Sequence, residues 1–434
     1  MEGAFIIKGL AGKKKLEGEI PVRGAKNASL KLLAAGLLFE DSLLIHNAPI
    51  IEDMERMKEL LASLGGDVRS VGVGKIKLDF SHPISPDIPS EISEKFRASI
   101  VAAGPLLARL GKVSFSLPGG CHIGKRPIDF FIEGFEEMGA RVRVSGEENR
   151  VRYLIEAPAG RLKGTEIYLR APSVTGTETL LMTAILAEGR TIIKNAAMEP
   201  EVVSLATFLR QCGARIWGEG TPTLAIEGGT LLRSKGLAYE TIPDRIEAGS
   251  FIVLAALAGR DVNITHCDPA HLDSLLSLLH HAGVEMKIGK DFVRITDFNK
   301  VPRPLKAFSI KTQGYPGFPT DLQALITLFL TQAHGGGSIF ETIFESRLAY
   351  IDALNLMGAK IKNTGNQAFT EGPTPLSANN LASTDLRAGM AFLLAAIIAK
   401  GESRVENIYN IDRGYEKIED RLSNIGVQIK RILC

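Results

Sequence analysis

The stretch LLASLGGDVR (60–69) decides the fold, because its pattern returns five more times along the chain. An amphipathic helix ends on a glycine, and an alternating, strand-like run follows. The counterparts are FEEMGARVRV (135–144), LRQCGARIWG (209–218), LHHAGVEMKI (279–288), LNLMGAKIKN (354–363) and LSNIGVQIKR (422–431). Their glycines, Gly65, Gly139, Gly213, Gly283, Gly358 and Gly426, lie 74, 74, 70, 75 and 68 residues apart. A spacing this regular marks six copies of one structural unit.

Each unit also holds an earlier apolar helix followed by a strand. Examples are ASLKLLAAGLLFEDSLLIHNA (28–48) and TETLLMTAILAEGRTIIKNAA (177–197). These first helices are apolar on most faces and must be buried. The alternating runs need a core on one side only. Helices inside and sheets outside satisfy both demands. Six units exceed one compact core, so three and three are expected. The N-terminal strand precedes the first unit and is free to pair with the last. The chain is expected to cross between the halves within 233–245 and again near 21–25.

With 45% hydrophobic and 23% charged residues, the 434-residue chain has a soluble, globular balance. A net charge of +2 gives no field for nucleic acid, and the aromatic interleaving such binding needs is missing. The N-terminus lacks the apolar core of a signal peptide. The longest apolar runs fall short of a membrane span. Four scattered cysteines, Cys121, Cys212, Cys267 and Cys434, indicate free thiols in a reducing compartment. A cytoplasmic protein without membrane insertion is expected, and no obligate protein partner is evident. There is no phosphate-binding or dinucleotide fingerprint in a strand-to-helix setting, so no cofactor is expected. His266, Cys267, Asp268 and His271 form the one metal-like cluster in the sequence. They occupy the same loop of the repeat as HNAPIIED and NAAMEPEV, which carry no ligand set, and no metal is expected.

The repeat also places the chemistry. Helix N-termini favour anions. The first junction of each unit reads GAKNASL, KFRASI, VTGTETL, PDRIEAGS, PTDLQAL and STDLRAG. This puts Lys26, Asn27, Arg97, Arg245, Asp321, Asp385 and Arg387 at comparable positions. The second junction carries the segment from Cys121 to Arg126, with Arg347 and Arg413. Taken singly, a charged residue at a helix start is a cap or a solvated charge. Several cations at equivalent junctions point to an anion site, with Lys26 and Arg413 meeting across a cleft. In LPGGCHIGKRP (117–127), Gly119, Gly120 and Gly124 make the segment adaptable, as a lid requires. Neighbouring cations favour the Cys121 thiolate, suiting it to proton transfer or nucleophilic attack; an inert loop cysteine is the bland alternative.

GAKNASL (24–30), FRASI (96–100), LPGGCHIGKRPID (117–129), LAEGRTIIKNAAMEPEVV (186–203), PDRIEAGSF (243–251), YPGFPTDLQA (315–324), TDLRAG (384–389) and IDRGYEKIEDRL (411–422) resemble one family throughout the chain. It is the enolpyruvyl transferase family, and within it the UDP-N-acetylglucosamine 1-carboxyvinyltransferases. The related 5-enolpyruvylshikimate-3-phosphate synthases lack the cysteine lid.

The resemblance implies an α/β fold of two similar domains, each of three βαβαββ-type repeats. Residues 26–242 would form one domain and 1–25 with 243–434 the other, with the active site in the cleft between them. It implies transfer of the enolpyruvyl group of phosphoenolpyruvate to the 3-hydroxyl of UDP-N-acetylglucosamine, by addition and elimination through a tetrahedral ketal. Phosphate leaves, and peptidoglycan precursor synthesis begins. Cys121 would be the proton donor and Asp321 the base. Lys26, Arg126 and Arg413 would clamp phosphoenolpyruvate. Asn27 would orient the sugar and Arg97 would support substrate binding. Arg126, Pro127, Ile128, Asp129, Phe130, Ser173, Val174 and Ile343 match nucleotide-sugar contacts, while Asp385, Arg387 and Arg347 would stand behind them. The chain departs from the family at Ala171, beside Pro172, and at Thr175, where glycine is common. Two other readings stay open: the shikimate-pathway transferase, and an inactive relative that senses nucleotide sugar.

Overall fold

The computed structural model describes residues 3–94, 96–119, 128–146, 151–297 and 304–433. Two compact units emerge. One takes the chain up to Arg23 and from Pro243 onward; the other takes Gly24 to Ile242, with residues 120–127 outside the description. Each unit has its own continuous apolar core.

All six repeat glycines adopt the left-handed conformation, with φ between 92° and 108°. Each ends an amphipathic helix where an L-residue with a Cβ would be strained. The helices that precede them in each repeat are the buried ones. In Arg245–Ala258 every residue after the first is buried, and in Gln323–Gln332 every residue before the last. Sheets cover them, and their strands alternate: Leu43 and Ile45 face inward while Leu44 and His46 are half-buried. The helices-inside, sheets-outside expectation holds within each unit.

One sheet shows the plan. Strand Leu16–Pro21 lies parallel to Gly259–Thr265, which follows the inner helix. Phe292–Thr296 pairs antiparallel with Gly259–Thr265, and Met286–Ile288 is the outer edge. Parallel neighbours need a crossover helix, and antiparallel ones need only a turn. Five sheets share this four-strand order. The sixth has three strands, with a single bridge from Asp87 to Ser114 in the parallel edge position.

The N-terminal strand Gly3–Lys8 does pair with the last repeat. It fits between Glu402–Glu406 and Gln428–Leu433, with Gly3 opposite Leu433. It therefore fills the hairpin position that Phe292–Thr296 fills in the sheet above. The next strand, Leu16–Pro21, then opens a new repeat.

The repeat has a second signature at the residue after four of its six central strands. Asn47, Asn195, His266 and Asn407 stand there, all left-handed, with φ of 52–56°. Asn47 Nδ2 donates to the Thr241 carbonyl at 2.9 Å, Asn195 to Leu169 at 2.8 Å and Asn407 to Ser383 at 3.4 Å. Each acceptor directly follows the parallel edge strand. Asparagine tolerates this conformation better than most residues and closes the sheet end with its amide.

Near Arg23, a buried carboxylate anchors the chain within its unit. Glu247 accepts the Arg23 N–H at 2.7 Å and both Arg421 terminal nitrogens, at 2.5 and 2.9 Å. The Arg421 guanidinium lies 4.8 Å from the Phe251 ring centre. Among the described residues, no helix is long and apolar enough to cross a membrane.

Candidate active site

Lys26 opens helix Lys26–Ala35. Two residues earlier, a Cβ on Gly24 would lie 1.7 Å from the Asn47 carbonyl oxygen, so only glycine fits there. Lys26 Nζ lies 2.6 Å from Asp53 Oδ2, and the Asp53 side chain is buried. Asn27 is half-buried on the next position. Asp53 was not singled out from the sequence, although it stands in the quoted HNAPIIED loop.

Arg97 starts the turn Arg97–Ala102, and its Nη1 donates to the Pro118 carbonyl at 3.3 Å. This holds the entry to the cysteine segment. At Gly119 the structure shows a reason for glycine that the sequence reading did not give. Its N–H donates to Ser93 O at 3.1 Å, and a Cβ would meet the Glu94 carbonyl oxygen at 1.6 Å. Close backbone approach is what demands glycine at this position. Cys121, Arg126 and Pro127 lie outside the described residues.

Ile128 is buried, and Asp129 begins helix Asp129–Glu137. Asp129 Oδ1 accepts the Phe130 N–H at 3.0 Å. Ser173 caps helix Val174–Ala184 by accepting the Gly176 N–H at 3.1 Å. Arg170 links the two helix starts: it donates to Asp129 at 3.0 Å and Glu133 at 2.7 Å, and lies 5.8 Å from the Phe130 ring centre. Sequence reasoning passed over Arg170, whose one signal is its place beside the departure at Ala171.

Deeper in this unit, Lys31 Nζ lies 3.2 Å from Glu178 Oε2. Glu178 is fully buried, and burial pushes its carboxyl up to about 7, with Lys31 opposing the rise. Neither residue was a candidate from sequence, since both fall inside apolar helical runs.

In the other unit the geometry centres on Asp321. Arg347 donates to Asp321 Oδ1 at 2.6 Å, and Arg387 to Oδ2 at 3.0 Å. Both arginine side chains are largely buried. Burial alone would raise the Asp321 carboxyl. The charges of Arg387 and Arg347, the hydrogen bond from Arg387 and the more distant Arg245 outweigh it, and hold the carboxyl well below the usual carboxylate range. Arg387 is shifted the opposite way: burial disfavours its charge, but Asp321 more than compensates. The structure thus brings together Asp321 and Arg387, placed by the repeat at equivalent first junctions, with Arg347 of a second junction. Asp385 caps helix Leu386–Ile398, accepting the N–H groups of Arg387 at 2.8 Å and Ala388 at 3.2 Å. Its cap orients the first turn, which carries Arg387.

Ile343 is 42% exposed, and its N–H donates to the buried Glu341 at 2.8 Å. Arg413 follows the short helix Tyr409–Asp412, with its N–H bonded to Tyr409 O at 3.2 Å. Its neighbour Asp412 is gripped by Arg431 at 2.7 and 2.8 Å, and Arg431 lies 4.8 Å from the Phe5 ring centre. The Arg413 segment is thereby tied to the first and last strands.

The His266–His271 cluster reads as repeat structure. His266 takes the left-handed corner that asparagine takes elsewhere. Asp268 caps the following turn through the Ala270 N–H at 3.1 Å. Cys267 is buried, and its thiol is pushed up to about 11 by burial. Among the described residues, no group of three or more His, Cys, Asp or Glu side chains is placed to hold a metal ion.

A family described as EPSP synthase (3-phosphoshikimate 1-carboxyvinyltransferase) matches residues 10–422. The UDP-N-acetylglucosamine 1-carboxyvinyltransferase of Acidobacterium capsulatum is 43% identical over 99% of this chain and 96% of its own. A second of that name, from Symbiobacterium thermophilum, is 43% identical over 98% of this chain and 94% of its own. The chain belongs to the UDP-N-acetylglucosamine 1-carboxyvinyltransferase family. Among solved structures, the enolpyruvyl transferase NikO from Streptomyces tendae superposes with a TM-score of 0.86 at 22% identity, covering 100% of this chain and 99% of that one. EPSP synthase from Acinetobacter baumannii gives 0.74 at 18% identity, covering 99% and 100%. These two likenesses establish the fold, with its two α/β domains, for this member of the UDP-N-acetylglucosamine 1-carboxyvinyltransferase family.

Proposed function

We propose that this chain transfers the enolpyruvyl group of phosphoenolpyruvate to the 3-hydroxyl of UDP-N-acetylglucosamine and releases phosphate. The observation that carries this is near-complete coverage by relatives of that name at 43% identity. The reaction would open peptidoglycan precursor synthesis in the cytoplasm. The chemistry requires a proton delivered to the enol carbon, a proton taken from the sugar hydroxyl, and cations around phosphate and carboxylate. Cys121 is the proposed donor. Lys26, Arg126 and Arg413 are the proposed anion clamp, with Asn27 and Arg97 on the substrates. Ile128, Asp129, Phe130, Ser173, Val174 and Ile343, with Arg126 and Pro127, are the proposed nucleotide-sugar contacts. The reading assigns residues of both units to one reaction.

Asp321 is the proposed base. Its two guanidinium partners keep it ionised at neutral pH but make it a reluctant proton acceptor. A substrate anion that draws Arg347 or Arg387 away would raise its affinity for a proton. Substrate binding and base strength would then be linked through the same two arginines.

Phosphate release with each acceptor tests the function. Phosphoenolpyruvate with UDP-N-acetylglucosamine is expected to yield phosphate, and with shikimate 3-phosphate to yield none. The opposite pattern would assign the chain to the shikimate-type reaction named by the matching family. Normal ligand binding without phosphate from either acceptor would favour the inactive sensor.

A further inference from the structure

The repeat provides its own comparison for one buried acid. After the central strand, four repeats carry Asn or His in the left-handed conformation. In the repeat built on strand Gly335–Phe340, the equivalent residue is Glu341, which is not left-handed. Its side chain is 2% exposed.

The Glu341 carboxylate accepts four hydrogen bonds. Oε1 receives the Thr312 hydroxyl at 3.0 Å, the Ile343 N–H at 2.8 Å and the Phe344 N–H at 3.2 Å. Oε2 receives the Thr320 hydroxyl at 2.9 Å. Two of these contacts converge on Asp321. Thr320 is its neighbour in the chain. Phe344 leads to Arg347: its carbonyl accepts the Arg347 N–H at 3.2 Å, and its ring centre lies 5.6 Å from the Arg347 guanidinium. Arg347 returns to Asp321 at 2.6 Å. A closed ring runs Glu341, Thr320, Asp321, Arg347, Phe344 and back.

We propose that Glu341 is a positioning residue for the transfer reaction, fixing Asp321 from its backbone side and Arg347 from its loop side at once. The proposal rests on the reading of Asp321 as the base. In the three asparagine repeats, this corner closes the end of a sheet through one side-chain amide. Here a carboxylate with acceptor capacity for several donors replaces a single amide, at the one first junction where the helix start carries Asp321. An ångström of drift at a reacting group costs about 10²-fold in rate.

Glu341→Ala is expected to lower kcat by about 10²-fold, with both KM values within about threefold of the parent. Glu341→Gln is expected to stay within about fivefold in kcat. Its amide oxygen keeps the three donors on Oε1, and its NH2 donates to a reoriented Thr320 hydroxyl. Near-ultraviolet circular dichroism at the assay temperature establishes that both variants are folded. Should Glu341→Ala not fold, Thr320→Val cuts one arm of the ring and is expected to lower kcat about tenfold at unchanged KM. Parent-like kcat in folded Glu341→Ala, or in Thr320→Val when that variant stands in for it, overturns the proposal. So does a folded Glu341→Gln as impaired as the alanine variant. Asp321→Asn, assayed alongside, separates the two failures. If it loses turnover while Glu341→Ala does not, the positioning role falls and the base stands. If it keeps parent-like turnover, the base reading itself falls.

Discussion

Asp321 illustrates how one residue's chemistry depends on its neighbours. A solvated carboxylate has an ordinary affinity for protons, but at Asp321 two arginines on separate segments lower it. Replacing Asp321 with Asn leaves the shape nearly unchanged and removes the acceptor. Turnover is expected to fall by about 10²–10⁴-fold, the usual worth of a general base, while binding of UDP-N-acetylglucosamine by calorimetry stays measurable. A rate near the parent value would remove Asp321 from the mechanism. Glu178 shows the reverse shift. Its ordinary value of 4.5 is raised to about 7 in the folded chain. Between those values the folded state holds a proton that the unfolded chain releases. The group's contribution to stability therefore declines as pH rises through that window. Glu178→Gln is expected to flatten the decline between pH 5 and pH 8, by up to about 3 kcal/mol relative to the parent. Urea midpoints at the two pH values check this, and identical pH dependence in parent and variant would contradict it.

At the scale of elements, the repeat separates structural from chemical positions. The six glycines after the outer helices are required by backbone geometry, whatever the protein does. The asparagine corners are likewise architectural, since their amides close sheet ends. Helix starts serve both purposes. Ser173, Asp244 and Asp385 cap their helices with side-chain oxygens. Lys26 and Asp321 stand at the same junctions without capping, and each has an oppositely charged side chain within 3 Å. The two proposed catalytic positions, Lys26 and Asp321, are thus helix starts where the repeating side-chain cap is absent.

For the whole molecule, the last repeat draws one of its strands from the first residues of the sequence. Gly3–Lys8 completes the hairpin that Gln428–Leu433 begins, and Gly3 pairs with Leu433. Joining the ends through a short glycine-rich turn would make this hairpin continuous. New ends opened between Ser145 and Arg152, the facing ends of a hairpin, leave the described strands of the sheets intact. This permutant is expected to fold and to keep phosphate release within about tenfold of the parent. Its recovery only as aggregate would show that the order of the strands along the chain matters to folding.

Helix periodicity, the repeat glycines and the alternating strands were legible in the amino-acid order alone. They arise from local rules: burial faces set by spacing, and backbone conformations open only to certain residues. The placement of Asp321 and the arginines at helix starts followed from the same repeat. What the order could not contain was which distant side chains touch. Lys31 and Glu178, Arg170 and Asp129, and the ring from Glu341 through Thr320 and Phe344 to Arg347 depend on packing between segments far apart in the chain. A buried charge inside an apolar run looks like a flaw until its partner is seen. Only the tertiary structure decides whether it has one, because desolvation and pairing are both properties of the folded surroundings.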